Sequence, residues 1–135
     1  MSDVKAAVRA VIDAYNRADW NAVRDAMDQS YAHHTGDATL TRDQFLRGAA
    51  WLRAGFPDLS LDIADLLADG DRVAVRLIAR GTHRGSLFGE APTSAPVAFG
   101  VTWICRFADG ILAEDWETMD ELDLRRRVGA LPVTD

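Results

Sequence analysis

Between Arg106 and Leu122 the chain carries six acids, Asp109, Glu114, Asp115, Glu117, Asp120 and Glu121, around one tryptophan, Trp116. Asp115 and Glu117 are the pair whose spacing could do chemistry. Residues two apart on a strand point the same way, with Cα atoms about 6.5 Å apart, so both carboxyls share one face of any strand here. Facing water, they are ordinary solvated acids. Facing an apolar cavity, they resist ionising together, one is pushed toward neutrality, and the two titrate as a coupled pair. A carboxyl tuned in that way can take a proton from the carbon next to a carbonyl and later return it.

Which way they face depends on a hairpin. In the stretch "VAFGVTWICRF", Val97, Phe99, Val101, Trp103, Cys105 and Phe107 fall on one face, too apolar to be exposed. The return strand "ILAEDWET" follows Asp109-Gly110. If those two residues alone make the turn, Ala108 pairs with Ile111 and Asp115 lies opposite Ile104, on the mixed face with Thr102 and Arg106. If Ala108-Asp109-Gly110 form a three-residue loop, Phe107 pairs with Ile111, Asp115 lies opposite Trp103, Glu117 lies opposite Val101, and both acids are inside. A one-residue slip flips every side chain, so the alternatives exclude each other. Residue pattern alone leaves them level.

The elements around this hairpin read in order. Val4, Val8, Val11, Ile12 and Tyr15 mark one face of a helix over residues 3–17, and Trp20, Val23 and Met27 mark a second, shorter one. "DQSYAHHTGDATL" reads as a polar, turn-rich break. Thr41 and Gln44 fit a capping box that opens a helix carrying Phe45, Ala49 and Leu52, with Gly55 as a left-handed stop. From Leu59 the period changes to two: Leu59, Leu61 and Ile63, then Val73, Val75, Leu77 and Ala79. Arg76, Ile78 and Arg80, with Ile104, lie on the outer face and could meet a second subunit. "RGSLFGEAPTSAP" is a loop, which His83 helps to structure, and the tail "MDELDLRRRVGAL" is a short helix with Gly129 near its end. Helices first and a strand meander afterwards indicate an α+β class, with helices on one face of a curved antiparallel sheet.

The totals narrow the function. The 135 residues suit a single domain spanning 1–135, and 48% hydrophobic with 27% charged residues is a globular composition. A net charge of −6 repels phosphate and argues against a nucleic-acid partner. Charge interrupts the N-terminal segment, so neither a leader nor a membrane span is expected, and a cytoplasmic location follows. The lone Cys105 excludes an internal disulfide, and three histidines without ligand spacing give no metal site.

The ordered set "AYN", "HTG" (His34, Thr35, Gly36), "FPDL", "GDRVAVR", "GTHRG", Pro92-Thr93 and "RFADGILAEDWETMD" runs over nearly the whole chain. On these motifs the chain resembles the SnoaL-like polyketide cyclases of the NTF2-like superfamily. The resemblance implies a cone: N-terminal helices on a curved antiparallel sheet of about four to six strands, with a short C-terminal helix. It also implies the three-residue loop and an inward acid pair, because the family's catalytic aspartate and the histidine two residues before it fall on Glu117 and Asp115. A family asparagine falls on His33, and a glutamine and a histidine of the penultimate strand fall on Val101 and Trp103.

By that resemblance the chain is a cofactor-independent acid/base enzyme, an aldol-type cyclase for a polyketide-like aromatic, assembled as a homodimer or homotetramer. Glu117 is the expected general acid/base, Asp115 orients it, and His33 donates to the developing enolate. Tyr15, Trp51, Val101 and Trp103 are expected to line a flat apolar slot for a small hydrophobic or aromatic ligand. A non-catalytic binding module on the same cone is the alternative. Ketosteroid isomerases and limonene-type epoxide hydrolases share the fold, but each needs an acid on the penultimate strand, and none lies between Glu90 and Asp109.

Overall fold

In the computed structural model, which describes residues 3–130, four helices cover a curved six-stranded sheet. In chain order the elements are α1 (Val4–Asn16), α2 (Trp20–Asp25), β1 (Met27–Thr35), β2 (Ala38–Thr41), α3 (Arg42–Gly55), β3 (Ser60–Asp69), β4 (Arg72–Thr82), β5 (Pro96–Ala108), β6 (Ile111–Met119) and α4 (Glu121–Arg127). Leu131, the last residue of the expected tail helix, lies outside the described residues.

Local chemistry sets the helix ends. The Asp3 and Asp19 carboxylates accept the Ala6 and Ala22 N–H groups at the starts of α1 and α2. Thr41 and Gln44 make the reciprocal capping box of α3. Gly55 does not stop α3 in a left-handed conformation, as expected from sequence. Its role is close approach: an added Cβ would overlap the side chain of Leu87, which packs on this position from the β4–β5 loop. Gly129, by contrast, does take φ +80 after α4.

The sheet order is β2-β1-β6-β5-β4-β3. Strands β3 to β6 form the expected meander, and Val73, Val75, Leu77 and Ala79 of β4 are completely buried. Helix α1 packs on β3 and β4, α3 on β1 and β2, and α4 on β5, so the concave face is lined by the row from Val97 to Phe107. The stretch read as a polar break is instead β1 and β2, and β1 runs parallel to β6 beside it. Its first half is irregular. The register with β6 shifts between Met27 and Ala32, where Asp28 folds back to accept the Ser30 N–H and hydroxyl.

The β5–β6 hairpin corrects both sequence alternatives. Asp109 (φ +52) and Gly110 (φ +78) form a two-residue turn with both central residues left-handed, and Ala108 pairs with Ile111. One residue later the register shifts: Phe107 pairs with Leu112, but Arg106 pairs with Glu114, leaving Ala113 as a bulge. The bulge reverses the alternation, so Leu112 and Asp115 are both buried although three residues apart. Asp115 therefore lies opposite Cys105 and Glu117 opposite Trp103. The inward acids predicted by the three-residue loop are present, placed by a different irregularity.

The β4–β5 loop is seated just as tightly at Gly85, where a Cβ would overlap the Ala54 carbonyl oxygen. That is backbone and cannot yield cheaply. Gly85→Ala should cost about 1–3 kcal/mol and lower the thermal midpoint by several degrees. Gly100→Ala, with no atom within 4 Å of the added Cβ, should change stability by less than about 0.5 kcal/mol. Calorimetry on the two variants checks both.

Candidate active site

Three neighbouring strands place the site. The parallel β1–β6 register sets His33 beside Asp115 and Thr35 beside Glu117, and the antiparallel β5–β6 register sets Cys105 and Trp103 on the other side. Two rows result on the concave face: His33–Asp115–Cys105, and above it Thr35–Glu117–Trp103. Adjacent strands lie about 4.8 Å apart, close enough for an imidazole to reach a carboxylate in its own row and one in the next.

His33 does both. Its Nδ1 lies 2.5 Å from Asp115 Oδ1, and its Nε2 lies 3.4 Å from Glu117 Oε2. His33 and Asp115 are 2% and 3% exposed, so this is a buried acid–imidazole–acid line. The remaining carboxylate oxygens have donors. The Tyr31 hydroxyl donates to Asp115 Oδ2 at 2.6 Å, Trp103 Nε1–H donates to Glu117 Oε1 at 2.8 Å, and the Thr35 hydroxyl donates to Glu117 Oε2 at 3.3 Å. Phe45 closes the side of the imidazole, with ring centroids 4.8 Å apart. Burying charged groups costs several kcal/mol per ion, which this density of partners offsets.

The electrostatics follow from the order of the groups. Burial alone would lower the His33 imidazole, but hydrogen bonds and charge from Asp115 and Glu117 outweigh it and raise the group to about 9. Burial pushes the Glu117 carboxyl up, and the His33 hydrogen bond and charge, with the Trp103 and Thr35 donors, more than reverse it, leaving Glu117 below its ordinary value. An imidazole held toward its protonated form thus lies between the acids, and Glu117 is lowered rather than raised. Both His33 ring nitrogens already face carboxylates.

Glu117 and His33 border a cavity of about 240 Å³, walled mainly by apolar side chains including Phe45, Leu52 and Leu124. Tyr15, Trp51 and Trp103 also line it, Trp51 at the rim with 48% exposure. Val101 is buried on β5 but does not border the cavity, and Asp115 lies behind His33. The Tyr15 ring packs edge-on to Trp103, and burial first, then the Glu117 charge, hold its phenol protonated. Among the described residues no group of three or more His, Cys, Asp or Glu is arranged to hold a metal ion, and no helix is long and apolar enough to cross a membrane. His83 is fully buried and its Nδ1 accepts the Thr93 N–H, organising the β4–β5 loop.

Sequence reading missed Tyr31, Thr35, Phe88 and Glu121. The one signal that could have found the first two is the period-two spacing of Tyr31, His33 and Thr35 before Gly36, which the flanking polar stretches mask.

A family model described as SnoaL-like polyketide cyclase matches residues 5–128. Aklanonic acid methyl ester cyclase AcmA of Streptomyces galilaeus is 28% identical over 133 residues, which is 96% of this chain and 92% of that protein. Among solved structures, AclR, a candidate hydroxylase from Streptomyces galilaeus, superposes with a TM-score of 0.89 at 29% identity, covering 95% of this chain and 96% of its own. IdmH, a candidate polyketide cyclase from Streptomyces antibioticus, gives 0.86 at 26% identity, covering 95% and 99%.

The buried line makes stability depend on pH in a stated direction. His33 is raised from 6.5 to about 9, so its contribution is fully present below pH 6.5 and lost as pH rises through about 9. Glu117 is lowered from 4.5, so its contribution is present above pH 4.5 and lost as pH falls through the depressed value. Denaturant unfolding should show a loss on the order of 3 kcal/mol between pH 6.5 and 9. Most of that slope should vanish in Asp115→Asn; a flat wild-type profile over this range would show that His33 is not ionised.

Proposed function

The chain belongs to the SnoaL-like polyketide cyclase family, and on that premise we propose that it closes a ring in a polyketide-like aromatic by an intramolecular aldol addition without a cofactor. The observation that carries this reading is the Asp115–His33–Glu117 line ending at the wall of a mostly apolar cavity. Glu117 is the group that meets the substrate, and Asp115 acts through His33.

Glu117, ionised across neutral pH, takes the proton from the carbon between or beside carbonyl groups. The resulting enolate carbon attacks a second carbonyl of the same molecule, forming one C–C bond, and the new alkoxide takes the proton back from Glu117. Product and substrate are isomers, and no electron acceptor is required. A carboxylate with a lowered pKa is a weak base, which suits a carbon acidified by two flanking carbonyls better than a simple ketone. The protonated Tyr15 phenol donates to the enolate oxygen, and the His33 imidazolium, whose ring N–H groups are taken by Asp115 and Glu117, stabilises the developing negative charge only through its positive charge. Trp103 holds Glu117 through its indole N–H while offering an apolar face to the ring system. AclR carries a different candidate activity on the same fold, so fold alone does not choose the reaction.

The test is incubation with aklanonic acid methyl ester, the compound in the name of AcmA, followed by mass and chromatographic analysis. A ring-closed product of unchanged mass supports the aldol closure, whereas an oxygenated product or unchanged bound ligand overturns it. Glu117→Gln should lower kcat by at least about 100-fold with little change in binding. A loss within about threefold, well under 1 kcal/mol, would remove Glu117 from the role. For the wild type, kcat/KM should be flat across neutral pH and fall as pH rises through about 9, where His33 loses its proton.

A further inference from the structure

One residue at the cavity rim is held in a conformation that its type disfavours. Phe88, in the loop between β4 and β5, has φ +52 and is followed by Gly89 at φ +77. The left-handed region crowds any side chain with a Cβ, and phenylalanine has no polar group to compensate locally. Phe88 and Gly89 are the two central residues of a tight turn closed by Leu87 and Glu90, a position that a glycine or asparagine would fill with less strain, and Phe88 is only partly buried against the core. Leu87 is 1% exposed, fills the space over Gly55, and exchanges two backbone hydrogen bonds with Glu90, at 3.1 and 2.8 Å.

Two helices converge on the half-buried Phe88 ring. The Arg125 guanidinium of α4 lies 4.1 Å above its centroid, and Arg125 is tethered to Glu121 at 3.4 Å. Trp51 of α3 meets the ring at 72° with centroids 5.2 Å apart. Phe88, Trp51 and Glu121 all border the cavity that Glu117 and His33 line. The turn and these contacts together hold the ring at the cavity wall, where the cap of Arg125 opposes its swinging away.

We infer that Phe88 is a specificity-determining residue: an end-stop that limits the length of the flat ring system the cavity accepts. The inference rests on the reading of this cavity as the slot for an aromatic ligand, but not on turnover. Longer fused rings must collide with Phe88 or displace it, and displacement requires breaking the contact with Arg125. Shorter ones fit between Phe88 and Glu117.

Tryptophan fluorescence tests this directly, since Trp51 and Trp103 both line the cavity. The probes are a two-ring hydroxynaphthoquinone and a four-ring hydroxytetracenequinone, titrated into the full chain. Phe88→Gly should raise the affinity ratio of the four-ring to the two-ring probe by at least about tenfold, equivalent to about 1.4 kcal/mol. Arg125→Gln should move the ratio the same way by a smaller factor. Glycine adopts φ +52 freely, so the thermal midpoint of Phe88→Gly should stay within a few degrees of wild type. An unchanged ratio, whichever way the separate affinities move, overturns the end-stop and leaves the slot standing. A midpoint lowered by more than about ten degrees makes Phe88 structural and overturns it as well. Failure of both probes to bind wild type and both variants overturns the aromatic slot itself and the end-stop with it.

Discussion

The His33 imidazolium held between the buried Asp115 and the partly buried Glu117 is the interaction on which the rest of the site depends. Each partner alone would be unfavourable at its depth: Asp115 at 3% exposure and His33 at 2% have little water to solvate a charge. Together, with Tyr31, Trp103 and Thr35 donating to the carboxyl oxygens, they form a satisfied network. Glu117, its pKa held below the ordinary value, is the end that touches the cavity. The network thus solves a folding problem and sets the chemical state of the cavity wall at once.

The network in turn depends on one strand pairing. Parallel association of β1 with β6 sets His33 and Asp115 at matching heights, and the Ala113 bulge turns Asp115 and Glu117 to the concave side. Both are irregular places in the sheet: β1 shifts register between Met27 and Ala32, and β6 carries its extra residue three positions from the turn. Bulges re-aim side chains at low cost where a regular ladder would fix them on the wrong face. Around this centre the cavity is built from parts with separate duties. Helix α3 supplies Phe45, Leu52 and Trp51, α1 supplies Tyr15, α4 supplies Glu121 and Leu124, and the β4–β5 loop supplies Phe88.

The strands β3 to β5, the three longer helix starts and the capping box at Thr41 were legible because each has a local cause. A period-two row such as Val73, Val75, Leu77 and Ala79 has one burial-compatible reading, and Thr41 with Gln44 satisfies orphan backbone donors wherever it occurs. The β1 strand was not legible, since its first half is bent by Asp28 and its second half buries a tyrosine and a histidine in a run that is polar on average. The motif resemblance led to an inward acid pair through a three-residue loop. The loop has two residues, and the parity it was meant to supply comes from the bulge at Ala113. Val101 and Trp103, two apart on one row, looked equivalent as walls, yet only Trp103 borders the cavity.

By itself the sequence determined the α+β class, the helical and meander segments, and which residues could carry acid/base chemistry, because alternation, capping and charge act over a few neighbouring positions. Tertiary structure alone decided that the acids face inward, that an imidazole separates them, and that Tyr31 and Phe88 belong to the site. The physical reason is separation along the chain: Tyr31 and His33 reach Asp115 across more than 80 residues. No local pattern specifies the register of such a parallel pair, which is settled by which rows of side chains can be buried together with all their polar atoms satisfied.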